Sequence, residues 1–146
     1  MIVIKNVHLI IMNKKIINQL KKQAKKASSF AYSPFSKVKV GCAVLTQNNK
    51  IFSGCNVENI SFGGTICAER TAILKAVSEG FQEFSVLYLY TKEQWAPCGM
   101  CLQVISEFFK PDALIILGSD NKEDIYQLKD LLPRTTDLKT FKKLQN

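Results

Sequence analysis

The apolar positions of this chain change period along its length, and the changes mark its elements. Between residues 13 and 29, Ile16, Ile17, Leu20, Ala24 and Ala27 recur at the spacing of one helical face, with Lys14, Lys15, Lys21, Lys22, Lys25 and Lys26 filling the rest. The spacing predicts an amphipathic helix that ends before Ser33-Pro34, because proline disfavours helical geometry at the preceding residue. Val38 to Leu45 and Lys50 to Cys55 are β-type runs, joined through Thr46-Gln47-Asn48-Asn49 as a hairpin. Cys67 to Gly80 predicts a helix with Ala72, Ile73, Ala76 and Val77 inward and Gly80 in its C-terminal cap. Phe84 to Thr91 reads as a strand, and Cys98 to Lys110 as a helix stopped by Pro111. Ala113 to Leu117 is a strand of buried type, Ile125 lies in a last strand, and Lys129 to Leu132 is a short helical turn. The order α-β-β-α-β-α-β-β-α predicts an α/β fold, a three-layer α/β/α sandwich around a mixed five-stranded sheet.

Composition narrows this picture. A chain of 146 residues, 47% of them hydrophobic, fits one globular domain and excludes a disordered class. No apolar run reaches the roughly 20 residues that a membrane-spanning helix needs. Residues 1–11 are apolar but broken by Lys5, Asn6 and His8, and Lys14 and Lys15 follow in place of a small-residue cleavage site. They read as a dispensable extension, and residues 12–146 as a single domain. Five cysteines, an odd number with three in ligand-like spacing, point to metal binding in a reducing compartment, hence the cytoplasm. The net charge of +8 is concentrated on the solvated lysine face of the first helix. No aromatic side chains interleave those lysines to stack bases, so neither nucleic acid nor a membrane is read as a partner.

The chemistry sits in Cys67-Ala68-Glu69-Arg70 and, 27 residues after Arg70, Pro97-Cys98-Gly99-Met100-Cys101. This C-x-E…P-C-x-x-C order matches the known three-cysteine form of the zinc deaminase signature. Cys98 and Cys101, three apart on a helix, share a face and can grip one metal. Cys67 and Cys98 each open a helix, where the positive end of the dipole favours the thiolate that zinc requires. Three protein ligands leave the fourth tetrahedral position of zinc for water, the catalytic arrangement. Glu69 is the candidate proton carrier, and Arg70 the adjacent cation able to draw charge from the sulfurs. Asn56 and Glu58 share one face at a strand end and suit hydrogen bonding to sugar hydroxyls. A rival arrangement makes Cys55 a fourth ligand, giving a structural zinc and no enzyme; Cys42 reads as a small buried hydrophobe.

With these residues in hand, the chain resembles the small homotetrameric zinc-dependent cytidine deaminases, from about Asn13 to Leu138. The likeness rests on Tyr32-Ser33-Pro34-Phe35-Ser36-Lys37, Gly54-Cys55-Asn56-Val57-Glu58-Asn59, both cysteine blocks, Gln103-Val104-Ile105-Ser106-Glu107 and Leu131-Leu132-Pro133. It implies one zinc per subunit on Cys67, Cys98 and Cys101, with Glu69 as acid and base. It places Asn56 and Glu58 at the ribose 3′-hydroxyl region, the Ala68 N–H at the pyrimidine carbonyl and the Ala96 carbonyl near the leaving amine. Phe62 would complete a neighbouring subunit's pocket, with Arg70 and Gln103 supporting the ligands.

Three positions depart from the family pattern. Val38 stands where an aromatic usually stacks on the pyrimidine, Leu102 where arginine is usual, and Thr136 where a phenylalanine is usual. The implied activity is deamination of cytidine and 2′-deoxycytidine in pyrimidine salvage. Val38 and Thr136 keep open a modified cytosine nucleoside of the blasticidin-S type, and the motif alone also permits a polynucleotide editor. Deleting residues 1–11 is expected to leave folding and turnover intact; loss of folded protein would show that the segment belongs to the domain.

Overall fold

In the computed structural model, which describes residues 14–136 and 141–142, the elements follow the predicted order. They are α1 (Lys14–Ser28), β1 (Gly41–Thr46), β2 (Ile51–Cys55), α2 (Ala68–Ser78), β3 (Phe84–Tyr90), α3 (Gly99–Phe108), β4 (Phe109–Gly118), β5 (Glu123–Gln127) and α4 (Leu128–Leu131). One five-stranded sheet runs in the order β2-β1-β3-β4-β5. Only β3 and β4 pair in parallel; β1 is antiparallel to both β2 and β3, and β4 to β5. No helix among the described residues is long and apolar enough to cross a membrane.

Alternation along the strands feeds two cores. Cys42, Val44, Leu87, Leu89, Ile115 and Leu117 pack with Ala72, Ile73 and Ala76 of α2 and Ile105 of α3. Ala43, Leu45, Tyr88, Tyr90 and Ile116 pack on the opposite face with Leu20 and Ala24 of α1. Every residue of β1 is buried, as a strand covered on both faces must be. The three-layer α/β/α sandwich is therefore present.

The largest differences from the sequence expectation lie at the end of α3 and at the starts of β4 and β1. α3 stops at Phe108, before Lys110, and Phe109 opens β4 by pairing with Phe84. Burial decides this: the Phe109 ring stacks on Phe84 at 5.1 Å, while Phe108 meets Phe84 edge-on at 6.3 Å. Between the Phe84–Phe109 and Val86–Leu114 pairs the register shifts, and Pro111 sits in that exposed bulge where its missing N–H costs nothing. β1 begins at Gly41 and not at Val38, because the Asn56 side chain binds the backbone of Val38 and Val40 in place of a strand.

The helices seat on the sheet through glycines. A Cβ on Gly41 would lie 1.9 Å from the Ala24 carbonyl oxygen, and one on Gly54 would lie 2.6 Å from the Ala72 nitrogen. Both obstacles are helix backbone, which cannot step aside as a side chain would. Gly41→Ala is expected to lower unfolding stability by about 2 kcal/mol or more, whereas Gly63→Ala, with nothing within 4 Å, should stay within about 0.5 kcal/mol. Urea midpoints of the two variants check this, and equal midpoints would refute the backbone contact.

Candidate active site

Two helix starts bring the thiols together. Cys67 is the N-cap of α2 and Cys98 the N-cap of α3, each in extended backbone geometry and neither thiol making a capping hydrogen bond. The sulfurs are thus free to face each other, 4.0 Å apart. Cys101, buried in the first turn of α3, adds a third sulfur, and all three lie within 4.8 Å of one another. Three sulfurs each about 2.3 Å from one zinc stand about 3.8 Å apart, so the trio fits that ion with a small closure. Cys55 is outside the trio and lines a separate cleft with Gln23, Ala27 and Thr71, so the four-cysteine arrangement is not formed. Cys42 is fully buried in the sheet and its thiol is pushed up, first by burial and then by Glu69.

The charges around the sulfurs are unequal. The hydrogen bond from Cys101 holds the Cys67 thiol well below its ordinary range, and Arg70 adds to the effect; the same bond pushes Cys101 up. Arg70 donates from Nη2 to Cys67 Sγ at 3.5 Å and to the Thr65 carbonyl at 3.1 Å. Its Nε is buried and has no acceptor among the described residues. Glu69, in the first turn of α2, is only 3% exposed, and burial pushes its carboxyl up to about 7. A carboxyl of that proton affinity can both take and return a proton near neutrality.

A cavity of about 240 Å³ opens beside this cluster, with Cys67, Ala68, Glu69, Cys98, Asn56, Val38 and Ala96 on its wall. Sequence reasoning singled out each of those residues. It missed Ser36, Val40, Thr65, Leu89, Thr91 and Trp95, which complete the lining. Trp95 carried a usable signal, being the one tryptophan of the chain and three residues ahead of Cys98.

Other expected residues sit elsewhere. Glu58 does not border the cavity; its carboxylate accepts the backbone N–H of Phe35 at 2.8 Å, the Ser36 N–H at 3.2 Å and the Ser36 hydroxyl, which holds it below the usual carboxylate range. Asn56 borders the cavity, but its amide bridges the Val38 carbonyl and the Val40 N–H, both at 2.9 Å. The two side chains thus fasten the 35–40 segment, in which Lys37 takes a φ of 62°. Phe62 projects outward, 70% exposed, and meets Phe35 edge-on at 5.3 Å. Gln103, expected beside the ligands, instead turns to the segment at Thr135 and Thr136, donating to the Thr136 carbonyl at 3.4 Å and accepting from the Thr135 hydroxyl at 3.3 Å. Its exposed place on α3 faces that segment and not the sulfurs.

Comparison with known proteins gives this geometry a context. A cytidine deaminase of Sporosarcina psychrophila is 46% identical over 94 residues, covering 63% of this chain and 69% of that protein. A probable cytidine deaminase of Dictyostelium discoideum is 36% identical over 147 residues, covering 92% of this chain and all of that protein. The crystal structure of cytidine deaminase from Burkholderia pseudomallei superposes with a TM-score of 0.78 at 38% identity, covering 82% of this chain and 98% of that one. Residues 14–117, which hold the three thiols, Glu69 and the whole cavity wall, match the family model of the cytidine and deoxycytidylate deaminase zinc-binding region, and the chain belongs to that zinc-binding family.

Proposed function

We propose that this protein is a zinc-dependent hydrolase that converts cytidine and 2′-deoxycytidine, with water, into uridine and 2′-deoxyuridine with release of ammonia. One observation carries the reading: two thiols of a metal-fitting trio and a buried carboxyl open onto the same small cavity. Cys67, Cys98 and Cys101 hold the zinc. Bound there, zinc supplies Lewis acidity that makes water a nucleophile near neutral pH.

The chain's own residues do the rest. Glu69 takes one proton from the attacking water and hands it to ring nitrogen N3; it then takes the proton of the new C4 hydroxyl and gives it to the amino group, which leaves as ammonia while the C4 carbonyl forms. Its place in the first turn of α2 keeps the carboxyl on the same side as Cys67; deeper in a helix, residues two apart diverge by about 200°. The Ala68 N–H meets the pyrimidine carbonyl, and the Ala96 carbonyl stands near the leaving amine. Asn56 meets the ribose 3′-hydroxyl region, and Glu58 supports it by fixing the backbone at Phe35 and Ser36. Arg70 withdraws charge from Cys67.

The working form is a homotetramer in the cytoplasm, serving pyrimidine salvage. Phe30, Tyr32, Phe35, Ile60 and Phe62 are each at least 43% exposed, and apolar surface of that extent favours burial against another copy. Phe62 then reaches toward a neighbour's pocket. The described cysteines are all free, and a three-thiol metal site needs reducing surroundings.

Loss of ultraviolet absorbance in the cytidine band tests the activity. Glu69→Gln is expected to keep its zinc and lose turnover by on the order of 10²- to 10⁴-fold. Cys98→Ala is expected to lose the zinc, and Cys55→Ala to retain it; no turnover by wild type, with zinc released by Cys55→Ala, would sink the reading. Light scattering should return a mass near four chains, and a monomer at micromolar concentration would remove the tetramer.

A further inference from the structure

Among the described residues, the cavity wall contains one aromatic ring. Val38, Val40, Ala68, Leu89 and Ala96 give it aliphatic surface, and only Trp95 offers a flat π face. That ring is 51% exposed, although large aromatic side chains usually bury most of their area. Trp95 forms none of the aromatic pairs found among the described residues.

Its backbone, in contrast, is firmly held. The Trp95 N–H donates to the Thr91 hydroxyl at 2.8 Å, and Thr91 itself is buried at the end of β3. The preceding residue, Gln94, adopts a φ of 56°, a left-handed conformation that residues other than glycine seldom take. The Gln94 side chain stabilises that turn by donating to the Leu117 carbonyl at 2.7 Å. Two side-chain bonds therefore fix the backbone that carries an otherwise unpartnered indole, three residues from Cys98. A ring presented in this way on a cavity wall suits a flat heteroaromatic ligand, because stacking uses the π face and needs little reorganisation once the backbone is set.

From this we infer that Trp95 is the stacking residue for the pyrimidine base, a specificity-determining contact supplied by the loop between β3 and α3. The inference rests on the proposed nucleoside deaminase activity. Stacking is present in the ground state and the transition state alike, so it acts through KM and leaves kcat in place.

Trp95 is the only tryptophan, so its fluorescence reports this contact directly. Zinc-loaded wild-type protein, excited at the red edge beyond nucleoside absorption and titrated with the product uridine, should show a saturable change. Trp95→Ala should raise KM for cytidine roughly tenfold or more with kcat little changed, and Trp95→Phe should restore much of the loss. Should Trp95→Ala not fold, the wild-type titration still decides. If wild type deaminates cytidine while saturating uridine leaves the fluorescence unmoved, Trp95 is not the stacking residue and the deaminase reading stands. If wild type neither turns over cytidine nor binds uridine by calorimetry, both fall together.

Discussion

The direction in which β2 and β3 run fixes everything else at the site. Each is antiparallel to β1, which lies between them, so the two point the same way and end at the same edge of the sheet. The helix after each strand then starts near that edge, α2 after β2 and α3 after β3. The parallel pairing of β3 with β4 demands a crossover, and α3 is that crossover. Two helix N-termini meet as a result, each with a thiol at its cap and a positive dipole end behind the sulfur. Sequence segments some 30 residues apart become one metal-fitting cluster through strand direction alone.

A second constraint shapes the other wall. Asn56 and Glu58 leave β2 and hold the 35–40 backbone with side-chain hydrogen bonds instead of a strand ladder. This lets Val38 border the cavity, where continued pairing of β1 would have carried its backbone into the sheet. The cost of ordering that segment is met on folding, before any ligand arrives, which is the condition for a preorganised pocket.

Much of this was legible in the residues. Helical periodicity placed α1 within one residue at each end, and the cap positions of Cys67 and Cys98 followed from where their helices had to begin. Glu69 was legible because a C-x-E spacing works only in a first turn. Less legible were features decided by tertiary packing. Phe109 left its helix for the core, so the end of α3 followed ring burial and not Pro111. Asn56 and Glu58 turned toward backbone partners that lie distant in sequence, and an Asn-x-Glu pattern does not encode which groups it will meet. Trp95 was marked only by being the lone tryptophan close to Cys98; nothing in the run Gln94-Trp95-Ala96 announces a left-handed turn at Gln94 or the pull of Leu117 on its side chain. Gln103 was carried by motif likeness alone, and its exposed helical position sends it to Thr135 and Thr136.

The glycine contacts have a mechanical consequence. α1 touches β1 at Gly41 and α2 touches β2 at Gly54, helix backbone against strand backbone on adjacent strands. Side chains form a compliant layer between most helices and sheets, since they can change rotamer under load; here that layer is missing at two points. This corner of the molecule therefore has low compressibility and transmits displacement instead of absorbing it. The cap of α2 lies only five residues before Ala72, the contact of Gly54, so Cys67 and Glu69 are anchored to this unyielding corner.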